Sequence, residues 1–291
     1  MTGQRFGAPP WALGLVLVAV VSANLGSVFA VFAFELVGPE AVVALRSTFA
    51  VPLLLLFARP SLRGHSRQAW AVVIAFGLSL AAMNSMFSQS IARMPIGPAV
   101  TIEMLGPLVL SVILARRLSG WLWAVLALAG VVVMQGLVTG HGLLFDPLGV
   151  LFACGAAVAW AFYILLSRQA GKMFKSVDAL VLAAMVAAVL TLPVGVAVEA
   201  ASMFHWQVLG LGVLVALFSN AICNGTELIA LRQVPAHVFS VMMALGPVAG
   251  SLLAFVLAHQ RLGLTTLVGI GLVVVATMGA TIGEGRRQEA A

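Results

Sequence analysis

Residues 73–115, VIAFGLSLAAMNSMFSQSIARMPIGPAVTIEMLGPLVLSVILA, align without a gap to residues 213–255, VLVALFSNAICNGTELIALRQVPAHVFSVMMALGPVAGSLLAF, at a constant offset of 140. Nine aligned positions are identical: Val73/Val213, Ser79/Ser219, Ala81/Ala221, Asn84/Asn224, Pro95/Pro235, Leu105/Leu245, Gly106/Gly246, Pro107/Pro247 and Ser111/Ser251. Few chance identities would fall on Asn, Pro and Gly in so apolar a background. The chain therefore looks like one half written twice.

The composition is that of a membrane protein. Hydrophobic residues make up 62% of the chain and charged residues 8%, whereas an ordinary soluble domain has about 25% charged residues. The net charge of +6 does not indicate a nucleic-acid partner, because the basic residues are scattered through loops, where membrane topology explains them better. The first apolar run begins at Pro10 and has no small-residue cleavage site, so we do not interpret it as a signal peptide.

Ten apolar runs are long enough to cross a bilayer core of about 30 Å, which needs about 20 residues per helix. The predicted spans are residues 11–34, 40–58, 69–91, 97–115, 120–138, 147–168, 177–198, 207–231, 236–257 and 263–283. The connections are short, so no soluble domain is expected. We expect the tail after Gly283 to be solvated and loose.

The basic residues predict how the spans are oriented. With ten spans, the termini and the even-numbered loops share one side of the membrane. That side holds twelve basic residues: Arg5, Arg59, Arg63, Arg67, Arg116, Arg117, Arg168, Lys172, Lys175, Arg232, Arg286 and Arg287. The other side holds Arg93 and Arg261, while Arg46 lies inside a span. Both termini are therefore predicted to be cytoplasmic.

The repeat unit is five helices, because the offset of 140 carries spans three and four onto spans eight and nine. Five is an odd number, so the second copy enters the membrane from the opposite side. We predict an all-α membrane protein with ten transmembrane helices in a 5+5 inverted-topology repeat. Residues 1–140 form the first repeat, and residues 141–291 form the second repeat plus a short cytoplasmic tail. Many transporters use such duplicated halves to build two alternating gates around one site.

Three ionisable residues lie well inside predicted spans: Arg46, Glu103 and Glu227. A charge at the centre of a membrane helix costs about 2.5–3.5 kcal/mol on insertion scales, so such a group usually faces a cavity or a partner. One interpretation is a cavity that binds a ligand. The alternative is a structural Arg–Glu pair that locks helices together.

Polar residues also recur at helical spacing in spans three and eight. Asn220, Asn224 and Glu227 follow at i, i+4 and i+7, which places them on one helical face. Asn84 and Ser88 are spaced by four residues in span three, and Asn84 is the repeat mate of Asn224. These stripes either line a cavity or supply interhelical hydrogen bonds, which are worth about 0.6 kcal/mol each.

The two Leu-Gly-Pro motifs predict helix breaks. Pro107 has no N–H, so the carbonyl of Glu103 loses its helical donor, and Pro247 has the same effect on Met243. Freed carbonyls are tolerated at membrane depth where they meet protein partners or a wet cavity. A bend that serves helix packing alone is the simpler alternative.

Trp160 and Tyr163 share one face of span six, where they form either a cavity wall or part of an interfacial belt. Ser22, Asn24 and Ser27 lie beside Gly26 in span one, a pattern typical of close helix packing.

Motifs of catalysis are missing from the sequence, which has no metal-binding His pair, phosphate-binding loop or nucleophile elbow. We therefore expect no enzyme activity, no cofactor and no metal. Without a nucleotide site the chain cannot hydrolyse ATP alone. Any uphill transport must use an ion gradient, for which Glu103 and Glu227 are the candidate proton carriers.

Several of these segments resemble the drug/metabolite transporter superfamily, of the EamA type. They are residues 77–84 and 95–107, the run from Glu227 to Pro235, and the run from Ala41 to Arg46. Within that superfamily the similarity is greatest to bacterial threonine/homoserine exporters of the inner membrane. Exporters of this type usually carry Glu-Pro in span nine and Gly-Glu after it, whereas this chain has Gly246-Pro247 and His259-Gln260.

The resemblance implies an exporter of a small metabolite, with a threonine-like amino acid as the leading substrate. Arg46 would bind the substrate carboxylate as a planar fork, and Glu103 or Glu227 would bind its ammonium group. The full set of candidate substrate-binding residues is Arg46, Asn84, Ser88, Glu103, Trp160, Tyr163, Asn220, Asn224, Glu227 and Met243. The expected partners are a small-molecule substrate and membrane lipid, and the protein is either a monomer or a homodimer.

Other functions remain open at this point. The substrate could be an aromatic amino acid, a drug or a quaternary amine, since the spans are apolar enough for each. A passive channel and an intramembrane enzyme are more remote alternatives. Counterflow, in which internal substrate accelerates uptake of external label, distinguishes a carrier from a pore.

Overall fold

The computed structural model describes residues 10–56, 58, 60–61, 64–115, 118–134, 144–174, 176–230, 234, 239 and 242–288. Across these residues the chain forms ten helical spans and no strand. The spans are α1 (Pro10–Phe34), α2 (Pro39–Leu55), α3 (Arg67–Ile91), α4 (Ile96–Glu103 and Leu105–Ala115), α5 (Leu118–Met134), α6 (Pro147–Met173), α7 (Ser176–Met203), α8 (Trp206–Ala216, Leu217–Ile222 and Cys223–Ala230), α9 (Gly246–Leu257) and α10 (Leu264–Gln288).

Helix starts follow from local chemistry. The Ser66 hydroxyl accepts from the backbone N–H of Ala69 at 3.2 Å and caps α3. The Asp146 carboxylate accepts from the N–H of Leu148 at 3.0 Å and caps α6. Such side chains satisfy N–H groups that a helix leaves without partners.

The spans occur where the apolar runs predict them, but three helices continue further than the hydropathy pattern. α6 ends at Met173 and α7 at Met203, whereas the predicted spans end at residues 168 and 198. The helical backbone of α10 continues to Gln288, so the expectation of a loose tail after Gly283 is wrong up to that residue. A helix supplies its own backbone hydrogen bonds, so it need not end where the apolar residues end.

Some of the charged residues used to predict the orientation cannot be placed. Arg5, Arg59, Arg63, Arg116, Arg117, Lys175 and Arg232 lie outside the described residues, as does Pro235 of the repeat.

The helix pairing has the symmetry of an inverted repeat. α2 packs on its own repeat mate α7, α4 on α9, and α5 on α10. The remaining pairs exchange partners, because α3 packs on α6 while its mate α8 packs on α1. A twofold axis between the halves requires this combination of self-paired and exchanged contacts. The predicted ten-helix 5+5 inverted repeat is confirmed.

The outer surface is apolar, as lipid requires. Large hydrophobic side chains face outward, among them Leu122 at 72% exposure and Leu151 at 65%. A soluble monomer rarely exposes an apolar patch of this extent. The protein is a multi-pass membrane protein.

Candidate functional site

A cavity lies at the junction of the two halves in the described part of the chain. It has a volume of about 200 Å³, many times the space that one water molecule requires. Residues from eight helices line it, and α5 and α10 do not take part. The site therefore lies on the pseudo-twofold axis, between four helices of each half.

Nine of the ten candidate binding residues line this cavity: Arg46, Asn84, Glu103, Trp160, Tyr163, Asn220, Asn224, Glu227 and Met243. Ser88 does not line it, although its side chain is buried in the described structure. Phe87, the residue before Ser88, lines the cavity instead. Whether these side chains bind a substrate stays a prediction.

Arg46 is a partly buried cation in the middle of α2. Among the described residues the salt bridge present is that between Arg93 and Asp146, at 3.8 Å, so neither Glu103 nor Glu227 forms an ion pair with Arg46. The Nε atom of Arg46 is buried and has no hydrogen-bond partner in the described structure. The described structure therefore does not contain the Arg46–Glu ion pair that the structural alternative requires.

Glu103 lies at the break in α4. The first segment of α4 ends at Glu103 and the second begins at Leu105, with Met104 in a turn between them. The break lies one turn before Pro107, where the missing N–H weakens the helix. The side chain of Glu103 lines the cavity and is close enough to Arg46 to interact electrostatically. In the second half, α9 begins at Gly246 with Pro247 in its first turn.

The polar face of α8 contains a π-helical turn. Residues Leu217–Ile222 form this turn, which Asn220 shares, and regular α-helix resumes at Cys223. Single π turns inside α-helices are frequent at functional sites. Below the turn, the thiol of Cys223 donates to a carboxylate oxygen of Glu227 at 3.6 Å.

Polar groups without a partner surround the cavity. Asn24 on α1, Ser47 on α2 and Asn220 on α8 each line it and are at most 7% exposed. The Oδ1 atom of Asn24, the hydroxyl of Ser47 and the Nδ2 atom of Asn220 make no hydrogen bond within the described residues. A buried polar atom that is left unpaired costs about 1–3 kcal/mol. A polar ligand or water would remove that cost.

Two of these residues were missed as binding candidates. The sequence pattern assigns Asn24 to a helix-packing motif, and no pattern singles out Ser47, the residue after Arg46. A single polar residue in an apolar helix was the available signal for Asn24, but it does not indicate which neighbour the side chain faces.

Aromatic residues form one wall of the cavity. Trp160 and Tyr163 both line it from α6, so the interfacial belt does not describe their position. The Tyr163 ring lies 4.9 Å from the ring of Phe76 on α3, measured between centroids. This contact holds Tyr163 between the two halves.

The cavity extends towards the membrane side at which α1 begins. Leu54 and Leu180 line it, and they are near the end of α2 and the start of α7. Both positions belong to that side, because α2 ends there and α7 begins there.

A polar network joins the helices on the opposite side. Arg93 at the end of α3 donates to the carbonyl of Gln89 at 2.8 Å and is paired with Asp146 before α6. Gln89 donates to the carboxylate of Glu40 at the start of α2. These contacts link α2, α3 and α6 to one another on the membrane side away from the cavity.

The pseudo-twofold fold and the polar cavity at its centre define a secondary-transporter architecture. Residues 147–282 match the model of the EamA-like transporter family. The threonine/homoserine exporter RhtA of Escherichia coli (strain K12) is 30% identical over 285 residues, covering 97% of this chain and 95% of that protein. The exporter of the same name from Salmonella typhimurium (strain LT2) is 31% identical over the same shares. The chain belongs to the EamA-like transporter family of the drug/metabolite transporter superfamily.

A solved structure supports the fold independently. One crystal structure superposes with a TM-score of 0.66 over 96% of this chain and 99% of its own, at 21% sequence identity. At that identity it shows the shared fold alone.

Proposed function

We propose that this protein is a secondary active transporter of the bacterial inner membrane that exports a small amino acid, with threonine or homoserine as the leading substrate. The observation that carries the proposal is the cation of Arg46, which forms no ion pair with any described residue and lies beside a cavity that two carboxylates also line. The relatives named threonine/homoserine exporters support the substrate class.

The lining residues suit a zwitterion. The Arg46 guanidinium is planar and matches a carboxylate through two parallel hydrogen bonds. Glu103 or Glu227 offers a carboxylate to the substrate ammonium, and the turn at Met104 brings backbone carbonyls near Glu103. Asn84, Asn224 and Tyr163 then contact the substrate side chain.

Alternating access would move the first five helices, within residues 1–140, against the second five, within residues 141–291. We infer that both termini are cytoplasmic, so the cavity extends towards the cytoplasm and the Arg93 network closes the outer side. Export requires that this network separates while the cytoplasmic side closes. Glu103 and Glu227 are the proposed proton carriers, because they are the acids that line the cavity.

The direct test is Glu103→Gln in everted membrane vesicles. Glutamine keeps the size and hydrogen-bonding capacity of the side chain but cannot carry a proton at neutral pH. We expect proton-driven threonine transport to fall to the level of vesicles without the protein, while counterflow at zero gradient persists. Undiminished gradient-driven transport at equal protein level would remove Glu103 from the mechanism.

Glu35→Gln is the matched control for this test. Glu35 lies outside the central cavity, near the end of α1, and the same change there should leave transport unaltered. Loss of counterflow in Glu103→Gln would place Glu103 in binding instead of coupling.

A second substrate class has its own support. Phe87, Trp160 and Tyr163 give the cavity an aromatic lining, which suits an aromatic amino acid or a quaternary amine through ring stacking and cation–π contact. Thermal-shift measurements with threonine, homoserine, phenylalanine and a quaternary amine would distinguish the two classes. A shift with the aromatic ligands alone would reverse the order of the candidates.

A further inference from the structure

The π turn of α8 is seated on two small residues of α1. The Ser22 hydroxyl donates to the carbonyl of Phe218, within the π turn, at 2.6 Å. Four residues further along α1, Gly26 faces Ser219 so closely that a Cβ atom on Gly26 would lie 2.0 Å from its hydroxyl oxygen. Residues at i and i+4 lie on the same face of a helix. One face of α1 therefore holds two consecutive residues of the turn.

The next residue along the turn, Asn220, carries the unpaired amide. Its side chain lines the cavity, is 7% exposed, and leaves Nδ2 without a hydrogen-bond partner in the described structure. A π turn is wider than a regular α-helical turn and changes the direction in which the following side chains point. The direction of the Asn220 amide therefore depends on the contacts that hold the turn.

The other half of the molecule shows the same helix contact without this feature. Ser79, the repeat mate of Ser219, donates to the carbonyl of Ala159 on α6 at 2.7 Å, and α3 is a regular helix there. Leu80 occupies the position equivalent to Asn220. Close packing between the exchanged helices thus does not itself require a π turn.

We propose that Ser22 and Gly26 are positioning residues that aim the Asn220 amide at a hydroxyl group on the substrate side chain. This inference rests on the proposed function, because it assigns the selectivity of the same site. Arg46 can bind the substrate carboxylate, and Glu103 or Glu227 can bind its ammonium group. The Asn220 amide is therefore available as a hydrogen-bond donor to another group of the substrate. A hydroxyl on the substrate side chain is an acceptor for that donor.

The test compares threonine with valine, which replaces the hydroxyl by a methyl group of similar size. Ser22→Ala removes the donor to Phe218, so we expect the ratio of threonine to valine transport to fall about three- to tenfold, the range typical of one hydrogen bond. The change should be in the KM for threonine. Asn220→Ala should produce the same loss, and the double variant should lose no more than either single variant.

Ser79→Ala is the matched control, because it deletes an interhelical hydrogen bond at the equivalent helix contact, where the described residues of α3 form no π turn. It should leave the selectivity ratio unchanged, and Ser22→Thr, which keeps a hydroxyl, should retain most of the wild-type selectivity. Ser22→Ala behaving like Ser79→Ala would overturn the positioning role while the proposed function stands. A wild-type protein that transports neither threonine nor homoserine would overturn both proposals.

A second pair of variants covers poor folding of Ser22→Ala. Gly26→Ala should crowd Ser219 and lower the selectivity ratio, and adding Ser219→Gly should restore it by removing the crowded side chain. Equal selectivity in the single and double variants would contradict the role of α1.

Discussion

Helices α3 and α8 occupy equivalent places in the two halves, yet they present different chemistry to the cavity. Four pairs of mate positions line it: Leu80, Met83, Asn84 and Phe87 on α3, and Asn220, Cys223, Asn224 and Glu227 on α8. Ser219 of α8 also lines it, whereas its mate Ser79 does not. Only the asparagine is shared between these two faces. The two helices thus occupy equivalent positions, whereas α8 presents mostly polar side chains to the cavity and α3 mostly apolar ones.

The difference extends to the charged residues. The repeat mate of Glu103 is Met243, and α7, the mate of α2, contains no Arg or Lys, so neither charge is duplicated. A symmetric site would bind a substrate in two opposite orientations, whereas an asymmetric one fixes a single orientation. The repeated backbone therefore allows the two alternating conformations of a transporter. The lining residues that differ between the halves determine how the substrate is bound.

Removal of Arg46 is expected to have the largest effect. Arg46→Gln should weaken transport by about 100-fold or more, because the substrate carboxylate would then enter the cavity without its proposed cationic partner, and loss of one partner of a buried charge pair costs about 3–5 kcal/mol. Val186 on α7 serves as the control, since it does not line the cavity and packs near Gly77 instead. Val186→Ala should transport normally in the same vesicle assay. Comparable losses in both variants would show that Arg46 acts through packing.

An exchange of side chains between α3 and α8 tests whether the acid must lie on α8 or can act equally well at the mate position on α3. Phe87→Glu with Glu227→Phe moves one acid to its mate position. We expect transport about tenfold or more below wild type, because Asn220 and Cys223 remain on α8 and the moved acid loses the Cys223 hydrogen bond. Each single variant should be measured beside the double one. Restoration of transport in the double variant would show that either half can carry the acid.

The sequence predicted the fold more completely than the site. The offset of 140 and the apolar runs were sufficient for ten spans in an inverted repeat, because both are properties of the whole chain. The i, i+4, i+7 spacing placed Asn220, Asn224 and Glu227 on one face, and all three line the cavity.

What the sequence could not show depends on contacts between distant helices. The π turn in α8 leaves the offset of 140 unchanged, so no inserted residue marks it in the alignment. The absence of an ion pair at Arg46 within the described residues depends on side-chain directions that spacing does not determine. The backbone of His259 is a further example, because its φ of 53° lies in the left-handed region that favours glycine.

Two aligned glycines differ in how tightly they are packed. A Cβ atom on Gly106 would lie 2.0 Å from the carbonyl oxygen of Ala157, whereas one on Gly246 would lie 3.6 Å from the nearest atom, the sulfur of Met104. Gly106→Ala should therefore lower stability by about 1–3 kcal/mol, as overpacking typically does. Gly246→Ala should leave stability nearly unchanged. Thermal unfolding in detergent measures both, and equal melting temperatures would contradict the difference between the halves.

The shared asparagines give the smallest expected effect and the finest test of the comparison. Asn84 is 3% exposed and Asn224 is only partly buried, although both line the cavity. If they act as interhelical hydrogen-bond donors, Asn84→Leu and Asn224→Leu should each cost about 0.6 kcal/mol of stability without changing the KM. If they contact the substrate, the KM should rise about threefold, the change that one weak hydrogen bond produces.

We expect the rise in KM for both variants, and the larger rise for Asn224→Leu, because Asn224 lies on the polar face beside Glu227. Thermal unfolding measured with the same preparations separates the two interpretations. If both variants have a lower melting temperature and an unchanged KM, Asn84 and Asn224 stabilise the fold and do not bind the substrate. Substrate recognition would then depend on the residues in which the halves differ.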